Sequence, residues 1–161
     1  MISRFLRIAL LAALLNGAIS AGAPLDAIAA GVLLARGQTV YVPVYSNIFT
    51  APKEVPIHLA NILAIRNTDL HHPIQVTGAD YYDTRGALIK RYYQTPVTLA
   101  PLETTHIYLS QQDQTGGFGA NFIVRWQAAR EVNVPVIECL MVGSEGRAFV
   151  SPGQPVSEEP K

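Results

Sequence analysis

Asp69-Leu70-His71-His72-Pro73 joins a carboxylate to two imidazoles, and His58 and His106 stand on neighbouring segments. These ligand types suit Zn²⁺ or Cu²⁺. Adjacent side chains on an extended chain point to opposite faces, so at most one of His71 and His72 joins a compact site. A polar loop between two strands accounts for the same residues. Hydrolytic chemistry has less to work with. The seven Ser residues fall in a leader, turns or a tail, and none stands in a Gly-x-Ser-x-Gly elbow or beside a His that would activate it. Cys139, the one Cys, sits between Glu138 and Leu140 in the most apolar stretch, with no nearby cation to lower its pKa, and reads as an inert buried thiol. Asp80 and Asp83 form the best carboxylate pair, but Asp83 has a turn to make. No catalytic residue and no cofactor site emerge.

The loop Asp113 to Asn121 is the most unusual segment, because Gly116, Gly117 and Gly119 fall within four positions. Such density is costly unless the backbone needs positive φ or a close neighbour. It is no phosphate loop, since the Lys-Ser/Thr pair is missing and a strand follows instead of a helix. Two readings stand. The loop is a structural turn, with the Asn121 side chain tying down its backbone, or it is a partner-binding surface formed by Asp113, Gly116, Gly117, Phe118, Gly119 and Asn121, with Phe118 as anchor. In the second reading the partner is a protein or a glycan of the cell envelope. The seven Tyr residues are the other binding signal: Tyr81 or Tyr82 paired with Tyr92 or Tyr93 across a hairpin would make an exposed aromatic patch.

Punctuation falls every 8 to 14 residues between residues 38 and 151, and no stretch carries a clean 3.6-residue apolar period. That pattern predicts an all-β fold, an Ig-like or fibronectin-III-like sandwich of about eight strands. Gln38 to Ser46 alternates Val40, Val42 and Val44 against Tyr41, Pro43 and Tyr45, with Pro43 predicting an edge strand. Ile57 to Asn67 places Leu59, Leu63 and Ile65 inward, with room for a slip near Asn61-Ile62. Ile74 to Asp83, the turn Asp83-Thr84-Arg85-Gly86, and Ala87 to Tyr93 make a hairpin. Pro101 ends one strand, and Thr105 begins another in the opposite sheet. Ala120 to Ala128 buries Phe122, Val124 and Trp126, Pro135 to Val142 reads as a central strand covered on both faces, and Ala148 to Val150 is the last short strand.

Several of these segments together resemble a known family. Ile65-Arg66-Asn67-Thr68-Asp69, Tyr81-Tyr82-Asp83-Thr84-x-Gly86, Leu99-x-Pro101-Leu102, the stretch from Gly116-Gly117 through Trp126, and Phe149-Val150-Ser151 are similar, in the same order, to the bacterial family called domain of unknown function 3124. The resemblance covers about residues 38–151. It implies a small exported bacterial domain and carries over no activity, cofactor or catalytic residue.

The ends read differently from the middle. Arg4 and Arg7 precede the apolar run Ile8 to Leu15, and small residues follow, which predicts a signal peptide over 1–20 cleaved near Ala21. The run is shorter than the roughly 20 residues of a membrane span, so no stable span is expected after cleavage; because Ala, Gly and Ile continue at lower density to Leu34, an uncleaved anchor is the alternative. Residues 21–37 are expected as linker, 38–151 as the sandwich domain, and 152–161, with three Pro, as a disordered tail. Cleavage leaves 10 basic against 12 acidic residues, a balance unlike that of nucleic-acid binders. A single Cys excludes an internal disulfide framework. The expectation is an exported, non-enzymatic, periplasmic or secreted β-sandwich serving as an envelope binding or accessory module. The alternative is a periplasmic metal-binding protein using Asp69 and His71 or His72.

Overall fold

A computed structural model describes residues 32–50 and 54–158. The signal peptide expected over 1–20 and most of the linker expected over 21–37 lie outside them. Among the described residues the chain is all-β, and no helix is long and apolar enough to cross a membrane. The strands are β1 (Leu34–Val44), β2 (Asn47–Thr50), β3 (Val55–Arg66), β4 (Ile74–Tyr82), β5 (Leu88–Tyr92) and β6 (Val97–Leu99). They continue with β7 (Thr104–Leu109), β8 (Ala120–Asn133), β9 (Val136–Gly143), β10 (Ala148–Pro152) and β11 (Gln154–Val156). Two antiparallel sheets form a sandwich-like fold. The first runs β11-β1-β8-β4-β5 with β6 also on β4, and the second runs β10-β9-β3-β2 with β7 also on β3.

Period-two alternation builds the core. Val40, Val42 and Val44 of β1 and Phe122, Val124 and Trp126 of β8 all face inward, and the register pairs Val42 with Phe122 and Val40 with Val124. Leu59, Leu63 and Ile65 of β3 meet them from the second sheet, fully buried. Removing such side chains from water is the main stabilising term, about 1.5–3 kcal/mol each. The register of β3 with both neighbours runs through Asn61-Ile62 without a slip. β3 keeps its phase by burying Asn61 on the core face, where its Nδ2 donates to the Leu59 carbonyl at 3.3 Å.

The chain changes sheets after Leu99, as Pro101 suggested. Leu102 takes a left-handed φ of 63°, the Glu103 amide donates to the Ala100 carbonyl, and β7 then pairs with β3. The hairpin turn is also as expected: the Gly86 amide donates to the Asp83 carbonyl at 3.0 Å, and one Asp83 carboxylate oxygen accepts the amides of Arg85 and Ala87.

Four expectations need correction. β1 is no edge strand, because β8 flanks one side and β11 the other; Pro43 is tolerated because β11 pairs only Thr39 to Tyr41 and stops short of it. β9 is central in its sheet yet covered on one face only: Ile137, Cys139 and Met141 are buried, whereas Val136 and Val142 on the other face are exposed. The tail expected over 152–161 instead contains β11, and the last residues of the expected linker open β1. Gly153 donates its amide to the Ile137 carbonyl at 2.8 Å as the chain crosses between sheets, and Glu158 then accepts from Arg125 Nε at 2.6 Å and Thr39 Oγ1 at 2.9 Å. Main-chain pairing and an ion pair order this segment without burying an apolar side chain, which is why composition did not reveal it.

Candidate functional site

The glycine-rich loop is held by the β4–β5 hairpin. Thr84 donates both its amide and its hydroxyl to the Gly116 carbonyl at 2.9 Å, and its Oγ1 accepts the Gly119 amide at 3.0 Å. Gly117 has φ +74° and lies against Thr84, and a Cβ at Gly116 would overlap the Tyr81 hydroxyl. The glycines therefore serve close packing on Thr84 and Tyr81. Thr84 ties the loop down, not Asn121, whose side chain makes no hydrogen bond among the described residues and which pairs with Pro43 and Tyr82 within the sheet. Asp113 closes a local turn by accepting from the amide and hydroxyl of Thr115.

This anchoring carries Phe118 to one end of the sandwich. Its ring is 50% exposed and packs edge-on against Tyr45, with centroids 5.2 Å apart, and beside Phe49 at 5.8 Å. There it borders a pocket of about 400 Å³ that opens between the sheets. Leu59, Met141 and Ser151 are buried and form its floor, while Phe149 and Val150 stand exposed at its rim with Phe118. Ile48 and Pro152 complete an apolar lining. Ser46 sets the geometry: it is fully buried, donates its amide to Gly117, accepts the Leu59 amide at its carbonyl, and places its hydroxyl 3.3 Å from that of Tyr81. One bend thus joins β1, β2, β3 and the loop.

Of the loop residues singled out from sequence, Phe118 reaches the pocket and the glycines position it. Tyr45, Ile48, Leu59, Met141, Phe149 and Ser151 were not foreseen as a group. The only sequence signal was Phe149-Val150-Ser151, whose Phe and Val neighbour a buried Ser.

The Asp69 cluster has a different arrangement. Its Oδ1 accepts the amides of His71 and His72 at 2.9 Å and lies 3.2 Å from His72 Nδ1, and its Oδ2 accepts the Asn133 amide at 3.0 Å. The His71 amide first, then that of Asn133, holds the carboxyl well below the usual carboxylate range. Asn67 completes the knot, its Nδ2 donating to the carbonyls of His72, Leu99 and Ala100. His58 and His106 lie elsewhere on β3 and β7, and among the described residues no three His, Cys, Asp or Glu side chains gather as a metal site.

The remaining reactive groups are placed for packing. Burial pushes the Cys139 thiol up to about 12. Tyr81 is buried, stacks on Phe122 at 4.9 Å, and has its phenol pKa raised by burial. The Tyr doublets do not pair across the hairpin: Tyr81 lies opposite Lys90 and Tyr92 opposite Ala79, with a bulge between Tyr81 and Tyr82 shifting the register. The exposed aromatic cluster is instead Tyr45, Phe49 and Phe118 at the pocket.

Comparison with known proteins adds a family. The family model described as Protein of unknown function (DUF3124) matches residues 37–156, which includes β11. No curated protein matches the chain. A crystal structure of Thermotoga maritima 1070 is similar over 73% of this chain and 92% of its own, at 11% identity and a TM-score of 0.43.

Proposed function

The chain belongs to the DUF3124 family, and we propose that it works as an exported, non-enzymatic, Ig-like binding module of the bacterial envelope that takes up an apolar group in the pocket beside Phe118. The observation that carries this reading is the pocket itself: about 400 Å³, walled by apolar side chains and fixed by the hydrogen bonds of Ser46 and Thr84. Cavities of this size and lining are typical of small-molecule sites. The leader segment with Arg4 and Arg7 supports export to the periplasm or beyond. The passage of the chain between sheets at Pro101 supports the Ig-like reading. The non-enzymatic reading is supported by the state of the reactive groups, with Cys139 buried and Asp69 committed to backbone amides. Of the protein and glycan partners the sequence allowed, an apolar lining favours one that presents an apolar group.

Titration of the purified protein with the uncharged fluorophore N-phenyl-1-naphthylamine tests the reading. Saturable one-to-one binding is expected, weakened about tenfold by Phe149→Ala or Phe118→Ala through lost apolar contact. Binding that never saturates, or that neither substitution changes, would show that the pocket takes no ligand.

A further inference from the structure

Building on the binding role proposed above, we infer that the pocket's ligand is an uncharged aliphatic molecule of about a dozen carbons, with one hydroxyl or carbonyl oxygen at its leading end that Ser151 hydrogen-bonds at the pocket floor. A methylene fills the ~30 Å³ of a liquid water, so a 400 Å³ pocket holds on the order of a dozen of them. A single aromatic ring would leave much of that space empty and forfeit the contacts of the unfilled wall. Among the described residues no Lys, Arg or His lines the pocket, so a carboxylate drawn to the floor would be buried without a counter-charge, which is strongly unfavourable.

Ser151 supplies the polar end. It is 9% exposed, lies on β10 opposite Cys139, and its hydroxyl makes no hydrogen bond among the described residues. With no protein partner among the described residues, that hydroxyl is free to bond a ligand oxygen that reaches the floor. The exposure gradient sets the direction of entry. Ser151 lies with buried Leu59 and Met141, whereas Phe118, Phe149 and Val150 at the rim are 42–58% exposed, so the oxygen leads and the chain trails between the rings.

Competition against N-phenyl-1-naphthylamine in the wild-type protein and in Ser151→Ala decides it. The expected result has three parts. 1-Alkanols displace the fluorophore with affinity rising about fourfold per methylene until the chain reaches about a dozen carbons. Decanoate at about pH 8, where it is ionised, competes at least about tenfold less well than 1-decanol. Ser151→Ala weakens 1-decanol about five- to tenfold, several times more than it weakens the fluorophore, with the thermal midpoint unchanged. The inference is overturned if the fluorophore binds but alkanols do not displace it, if decanoate matches decanol, or if Ser151→Ala weakens both ligands alike. Displacement by a Phe- or Trp-containing peptide and not by alkanols would also overturn it and assign the pocket to a protein partner. Failure of the fluorophore itself to bind sinks the pocket reading and this inference together, and is distinct from the other outcomes.

Discussion

Trp126 and Asp69 show how single side chains divide the work of this fold. Trp126 is buried in the core, yet its ring N–H has no partner among the described residues, so the indole is retained for its volume. Trp126→Ala should therefore cost about 3–5 kcal/mol in denaturant unfolding. Trp126→Phe should cost less than half of that, because it also removes an orphan donor worth about 1–3 kcal/mol. Equal costs would mean that the N–H is satisfied. Asp69 acts through charge and geometry, since its carboxylate closes the β3–β4 connection by accepting three backbone amides. Its pKa is depressed in the folded state, first by the His71 amide and then by that of Asn133. Its contribution is complete above the unfolded value of about 4 and is lost as pH falls below that toward the folded pKa. Thermal midpoints measured from neutral pH down to about pH 2 should fall in the wild type, and Asp69→Asn should reduce that fall. A variant with the same pH profile would show that Asp69 is not linked to folding.

At the scale of elements, the terminal strand is the part whose removal is most informative. β11 covers β1 between Thr39 and Tyr41, and Glu158 beyond it bonds Arg125, which also reaches Asp80 at 2.9 Å. Truncation after Pro152 should remove about 1–3 kcal/mol of stability. It should also expose the β1 edge and raise the tendency to self-associate, measurable by light scattering. An unchanged midpoint with a monodisperse product would show that β11 is dispensable. Strands with alternating burial, such as β1 and β8, were legible because side chains that alternate across a pleat leave a period of two in the sequence. β11 was not legible, because a strand held by its main chain and one ion pair leaves no apolar pattern. β9 misled in the other direction: an unbroken apolar run implies two covered faces, and here one face is open.

For the whole molecule, the leader segment bears on where it works. Residues 1–20 predict export, so intact-mass measurement on the periplasmic fraction should find a chain beginning near Ala21. A full-length mass in the membrane fraction would replace cleavage with anchoring. By itself the sequence determined the all-β class, the β4–β5 hairpin, the sheet change at Pro101, the inward faces of β1 and β8, and the resemblance that the family match bears out. These rest on local turn chemistry and short-range alternation, which a few consecutive residues carry in full. Only the tertiary structure decided that Thr84 anchors the glycine loop, that the Tyr doublets miss each other, and that Phe118, Tyr45, Leu59, Met141 and Ser151 share one pocket. Each of these depends on register between strands far apart in the chain. A one-residue shift of register would send every side chain to the opposite face, and nothing local to any one segment records which register its distant partner adopts.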